Sequence, residues 1–376
     1  MKICAIGLRG IPDVMGGIET HCEQLYPRLA KLDDTLEITV IGRSGYAQPQ
    51  MFGDIRVVSV WAPRTKALET LVHTPLSILY ARLFLHPDVI HLHAIGPGFF
   101  APLARLLGFR VVATHHAQDY DRPKWNGFGK RFLKIGEWMI ATFADDIVCV
   151  SSHIEGAMAE RYPQRRDRYV TIRNGAPAAI MDETSDILEC LGLDPGRYIL
   201  CVGRLDPTKR FHDAVEAFTR ARPVDIKLVV VGGALGDTAY AARLTSMASA
   251  DIIFAGARSA AEVRALYRSA ALFLHPSGME GFAMVVLEAL SANVPILVSD
   301  IPPHREVGMD AANYYPVGQI PALAEALAQT PYAKQRCSRR AAILEENDWE
   351  TVARRHRDLL VSPAAAHRVA HEHAAP

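Results

Sequence analysis

The chain has 376 residues, 49% of them apolar and 22% charged. That is enough for two or three domains with buried cores, and it excludes a disordered or fibrous composition. Its 41 Lys and Arg balance 41 Asp and Glu, so bulk electrostatics give no argument for a nucleic-acid partner.

Six cysteines, Cys4, Cys22, Cys149, Cys190, Cys201 and Cys337, are scattered singly, with no CxxC and no zinc-ligand spacing. They read as reduced thiols of a cytoplasmic protein. No apolar run reaches about 18 residues, so no membrane span is expected. KICAIGL is too short for a secretory signal.

Lys2–Leu8 reads as a first buried strand. A glycine-rich loop follows, and an amphipathic helix starts near Ile18. Gly16 and Gly17 let backbone approach a ligand closely, or simply serve a strand-to-helix turn. The loop is not GxGxxG, so a dinucleotide fingerprint is unsupported. Short apolar strands recur at Leu36–Ile41, Ile55–Val60, Val89–Leu92, Val111–Thr114 and Ile147–Val150. Helical stretches separate them, at about 66–85, 98–107, 127–144 and 153–162. This alternation predicts a parallel sheet covered on both faces, with ligands at the carboxyl ends of the strands.

HLHAIGPG and ATHHAQDYD fall at such ends. Strand alternation sends one of His115 and His116 toward a ligand and the other into packing. His91 and His93 share a face, but a metal site needs a third ligand that the spacing does not supply. Beyond Asp121, the basic Arg122, Lys124, Lys130, Arg131 and Lys134 interleave with Trp125, Phe128, Phe132 and Trp138. Such a helix suits an anionic membrane surface, and equally a solvated charged face.

Asn174, Gly175 and Pro177 interrupt the pattern, and a linker is expected over 176–197. A second sheet begins at Tyr198–Val202, followed by GRLDPTKRF. Asp206 and Pro207 are favoured at a helix N-cap and N1, which would place Lys209 and Arg210 in a first helical turn, against the dipole. Arg204 and Lys209 aimed at one point would clamp a diphosphate; an exposed lysine is the plain alternative. In SGMEGFAMVVLEALSANVPILVSD, Glu280 precedes a helix expected over Phe282–Ala292, and Glu288 lies within it. Free N–H groups at Gly281 and Phe282 would hold an anion while the carboxylates hold hydroxyls, which suggests a sugar nucleotide. The alternative is a capping Glu280 and a solvated Glu288.

GGIE, THHAQD, GRL…K and the two glutamates separated by seven residues together resemble the retaining glycosyltransferases of family 4. The resemblance spans nearly the whole chain. It implies the α/β GT-B fold: two Rossmann-like domains with parallel sheets facing a cleft. It places an acceptor-binding domain at 1–176 and a nucleotide-sugar-binding domain at 177–347. A C-terminal helix crosses back at 348–361, and a disordered tail follows at 362–376. It implies transfer of a hexosyl unit from a UDP- or GDP-sugar, with retained configuration, to a glycan or polyprenyl-linked acceptor in surface polysaccharide synthesis. In the site it implies, Arg204 and Lys209 hold the diphosphate with Gly16, Gly17, Gly281 and Phe282. Glu280 holds sugar hydroxyls, Glu288 the ribose, and His116 positions the sugar. No cofactor and no metal are expected, nor any nucleic acid. The expected place is the cytoplasm, with the 122–143 helix a candidate for contact with the anionic inner face of the plasma membrane. A GT-B sugar-nucleotide epimerase or a non-catalytic sugar-nucleotide-binding protein is the alternative.

Overall fold

The computed structural model describes residues 1–122, 125–177, 186–234 and 238–361. Lys124, residues 178–185 of the expected linker and the tail 362–376 lie outside the described residues. The chain forms two compact units. The first is Met1–Asn174 together with the segment from Trp349, and the second is Gly175–Asp348.

The first unit is built on eight strands: β1 Lys2–Ile6, β2 Glu37–Arg43, β3 Gln50–Phe52, β4 Ile55–Val60, β5 Val89–His93, β6 Arg110–His115, β7 Asp146–Cys149 and β8 Tyr169–Thr171. Their order across the sheet is β3-β4-β2-β1-β5-β6-β7-β8. All pairs are parallel except β3 with β4 at the edge. β5 and β7 are buried along their whole length. Helices cover both faces of a parallel sheet, so even the polar residues of these strands, His91, His93 and Asp146, are buried.

The helix Gly17–Leu32 buries Cys22, Leu25, Tyr26 and Leu29, with Glu19 and His21 on the same inward stripe. The expected helix at 66–85 is α-helical over Lys66–Tyr80, and its last turn Ala81–Leu85 widens to a π-turn. The expected helix at 98–107 is instead two short ones, Ile95–Gly98 and Ala101–Leu106. Pro102 lies in the first turn of the second and has no N–H to give back to the first. Gly127–Phe143 forms one helix, capped by the Asn126 side chain accepting from the Gly129 N–H at 2.9 Å.

The last helix, Trp349–Val361, belongs to this first unit. It buries Trp349, Val352, His356, Leu359 and Leu360, and Trp349 lies against His21 with ring centroids 5.7 Å apart. Arg110 and Arg355 donate to Leu359 O and Thr171 O respectively, tying the helix to the sheet.

The second unit has six parallel strands: β9 Tyr198–Val202, β10 Lys227–Val231, β11 Ile252–Gly256, β12 Leu272–His275, β13 Ile296–Ser299 and β14 Tyr314–Tyr315. Their order is β11-β10-β9-β12-β13-β14. Leu228, Val230, Leu272 and Leu274 pack with Phe211, Val215 and Phe218 of the helix Phe211–Ala221 to form its core. Among the described residues, no helix is long and apolar enough to cross a membrane.

Both sheets reverse direction beside their first strand. In the first, β1 lies between β2 and β5; in the second, β9 lies between β10 and β12. Loops leaving the carboxyl ends of such neighbouring strands diverge to opposite faces and leave room for a ligand. The loops after β1, β9 and β12 are the ones that carry the glycine and charged motifs.

Candidate active site

In the second unit the two reversal loops are stitched together. The loop after β9 runs through Arg204 into a 3₁₀ turn, Pro207–Lys209, capped by the Asp206 side chain accepting from the Thr208 N–H at 3.0 Å. The α-helix starts only at Phe211, because Arg210 sits at φ 52°. Lys209 therefore precedes the helix rather than opposing its dipole, contrary to the expected first-turn placement. Gly278 N and Ser277 Oγ, from the loop after β12, both donate to Thr208 O, at 2.8 and 3.3 Å.

This stitching brings Lys209 Nζ to 2.5 Å from Glu280 Oε1. His275, at the end of β12, places Nε2 2.8 Å from the same oxygen. Both partners are largely buried. Burial alone would raise the Glu280 carboxyl, but the Lys209 ammonium and the His275 bond hold it well below the usual range. Burial pushes His304 down to about 3, and His275 beside it adds to that shift.

Glu288 is elsewhere. It accepts from Tyr267 Oη at 3.2 Å, and burial raises its carboxyl. The helix carrying it is Met284–Ser291, shorter than expected, since Ala283 has non-helical dihedrals (φ −82°, ψ 86°). Gly281 and Phe282 thus lie in the loop ahead of the helix. That helix has no side-chain cap; within its first turn Met284 N donates to Phe282 O and Val286 N to Ala283 O, at 3.1 and 3.0 Å.

In the first unit, Gly16 adopts φ 156°, and a Cβ there would stand 2.0 Å from Glu19 Oε2. Only glycine fits. A Cβ on Gly17 would meet nothing within 4 Å. Glu19 turns inward and accepts from Arg9 Nε at 2.9 Å and Arg9 N at 3.1 Å, so it shapes the loop after β1.

His115 and His116 take different sides of the sheet. His115 is fully buried and bonds Glu137 at 3.1 Å, where Tyr120 and Arg161 also donate. His116 is partly exposed and places Nε2 3.1 Å from His93 Nδ1. His93 Nε2 in turn lies 2.6 Å from Tyr26 Oη, which lies 3.0 Å from His91 Nδ1. His21 joins them, its ring centroid 5.0 Å from that of His116. Desolvation, reinforced by the neighbouring imidazoles, holds His93 and His116 well below the ordinary histidine value.

Sequence reasoning had not singled out His21, His275 or His304. His275 carried a signal, a polar residue closing a buried strand like His93 and His115. His21 carried none, because one histidine in an amphipathic helix is ordinary.

Two family descriptions match the chain: Glycosyltransferase Family 4 over residues 15–179 and Glycosyl transferases group 1 over residues 191–330. A GDP-mannose-dependent alpha-mannosyltransferase of Mycobacterium tuberculosis is 30% identical over 302 residues, 75% of this chain and 74% of that protein. Among solved structures, the sucrose-phosphate synthase of Thermosynechococcus elongatus superposes with TM-score 0.79 at 20% identity, covering 97% of this chain and 99% of that one. The Anabaena protein HepE in complex with UDP and glucose gives TM-score 0.76 at 19% identity, covering 96% and 100%. The two parallel-sheet units are those of the GT-B fold, and the chain belongs to family 4 of the glycosyltransferases.

Proposed function

We propose that the chain is a retaining hexosyltransferase that uses a UDP- or GDP-sugar, needs no metal for the transfer, and delivers to a hydroxyl of a glycan or polyprenyl-linked acceptor in surface polysaccharide synthesis. The observation that carries the reading is the Lys209–Glu280–His275 cluster at the strand reversal of the second sheet, in which Lys209 lies on the loop that also carries Arg204. Two relatives bear on the donor: the mycobacterial mannosyltransferase is named for GDP-mannose, and the Anabaena structure holds UDP and glucose.

In this reading Lys209 and Arg204 meet the donor diphosphate, Lys209 as a point charge and Arg204 by its planar fork. The N–H groups around Gly281 and Phe282 add neutral donors. Glu280 stays ionised because Lys209 and His275 hold it so, and it accepts from sugar hydroxyls. Glu288 serves the ribose. In the first unit, Gly16 and Gly17 bring backbone close to donor and acceptor, and His116 positions the transferred sugar. The acceptor hydroxyl attacks the anomeric carbon on the face the diphosphate leaves. Its proton passes to the departing phosphate oxygen, so the new bond keeps the old configuration. Phe128, Lys130, Arg131, Lys134 and Trp138 share the exposed side of the helix Gly127–Phe143, which suits a lipid-borne acceptor at an anionic membrane.

The test is a thermal-shift panel of UDP, GDP, ADP, dTDP and CMP, followed by proton NMR of the product made from the matching sugar donor. One diphosphate raising the melting temperature with or without EDTA, and a product with the donor's anomeric configuration, are the expected results. An inverted product, or donor conversion with no acceptor present, contradicts the reading.

A further inference from the structure

The imidazole cluster of the first unit has a feature the transfer reaction does not use. His21 Nδ1 lies 2.7 Å from Asn174 Oδ1. A carboxamide oxygen only accepts, so Nδ1 carries the ring proton and Nε2 is a bare lone pair. That Nε2 is buried and has no hydrogen-bond partner among the described residues, a costly state for an acceptor. The His21 ring centroid lies 5.0 Å from that of His116 and 5.7 Å from that of His93, and one ligand nitrogen from each of the three falls within 4.8 Å of the others.

We propose that His21, His93 and His116 form a binding site for one divalent transition-metal ion of the zinc type. Three imidazole nitrogens bound tetrahedrally to zinc at about 2.0–2.1 Å stand roughly 3.3 Å from each other. His93 Nδ1 and His116 Nε2 already stand 3.1 Å apart, so His21 closes the site by a side-chain shift of at most about 1.5 Å. Each inner histidine has the outer partner such a ligand needs. Asn174 fixes the His21 ring, and Tyr26 Oη fixes His93 through its other nitrogen at 2.6 Å.

The donor set is all nitrogen. It suits zinc, nickel, cobalt or copper and excludes magnesium and calcium, which take oxygen ligands. An ion reaches it from the side of His116, the partly exposed member, and keeps its fourth position there for water or an anion. On binding, the proton shared between His93 Nδ1 and His116 Nε2 moves to another ring nitrogen or is released, since the metal takes both lone pairs. The second unit's comparable group, His275, Glu280 and His304, is a poor alternative: the Lys209 ammonium already occupies Glu280 Oε1.

The site stands on geometry alone and is independent of any role of His116 in transfer. If His116 also positions the sugar, the bound metal is an inhibitor. The experiment is titration of the EDTA-stripped full chain with Co²⁺, read by visible absorption. The chain also holds His367, His371 and His373, which other variants leave intact and which set the background. One equivalent with the intense bands of a tetrahedral ion is expected. His21→Ala should weaken that binding by more than about 100-fold, and Asn174→Ala by about 10- to 100-fold through the loss of ring orientation. Wild-type transfer should fall with Zn²⁺ over the concentrations that fill the site. Equal cobalt affinity and spectra for the wild type and both variants would overturn the proposal, as would the absence of any tetrahedral spectrum. Full occupancy without inhibition would leave the site standing and remove His116 from the transfer reaction.

Discussion

The two units each place histidines at a strand reversal, but they treat charge in opposite ways. In the first, His21, His91, His93, His116 and His356 crowd together with Tyr26, and their ring contacts and hydrogen bonds link neutral partners. In the second, His275 shares a carboxylate with a lysine. A neutral cluster offers lone pairs and loses them on protonation. An ion-paired cluster offers fixed charge and keeps it. The first arrangement suits positioning and metal capture; the second suits a polyanionic leaving group, because Lys209 can serve phosphate while His275 keeps its bond to Glu280.

The comparison breaks most sharply at Glu280. Replacing it by Ala should cut transfer by on the order of 10²–10³-fold. Nucleoside diphosphate affinity should hold or rise, since Lys209 loses its internal partner. Steady-state transfer and calorimetric binding on one protein sample check both halves, and a parallel fall in affinity would contradict the separation of roles. Lys209→Ala should act the other way, weakening diphosphate binding by about 10- to 100-fold, the worth of one charge-assisted contact. It also strands Glu280 in a buried place, so a stability loss of about 2 kcal/mol in urea unfolding is expected with it.

Acid should separate the units. His21 and His73 are held down to about 4 and His356 to about 3, each mainly by burial, and His91, His93 and His116 are also lowered. Their folded values lie below the unfolded one. The unfolded chain therefore binds more protons, and stability is lost as pH falls below about 6.5 toward the folded values. In the second unit the lowered histidines are His212, His275 and His304. Glu280 contributes stability that is present above about 4.3 and lost only below it. The first unit should thus open first on acidification. All four tryptophans, Trp61, Trp125, Trp138 and Trp349, lie in it, so intrinsic fluorescence follows that unit alone. A fluorescence transition between about pH 6.5 and 4, ahead of far-UV loss, is expected. Coincident transitions would contradict it.

The smallest effect belongs to Glu288. Its partner is Tyr267 rather than Lys209, so Glu288→Gln should cost about 5- to 10-fold in donor affinity, with kcat nearly unchanged, as fits one hydrogen bond to a ribose hydroxyl. A large loss of kcat would move Glu288 into the reacting cluster.

Much of this was legible in the sequence for a physical reason. Strands buried on both faces read as apolar runs, and the loops that follow their carboxyl ends are where a ligand is expected. The loops that carry Gly16, His116, Arg204, Lys209 and Glu280 were visible in this way. Helix starts were less legible. The pattern around Lys209 and Phe282 continues the helical period, but single dihedrals at Arg210 and Ala283 delay each helix. His21 was invisible because its meaning depends on Asn174, far along the chain, and on strand ends that only the folded sheet brings beside it.

The claim at the centre is that the loops after β9 and β12 form a diphosphate clamp. It is tested most directly by the melting temperature of the wild type and of Lys209→Ala with the preferred nucleoside diphosphate, in the presence of EDTA. The account predicts a shift in the wild type that the variant loses. An equal shift in both, or a wild-type shift that EDTA removes, would contradict it.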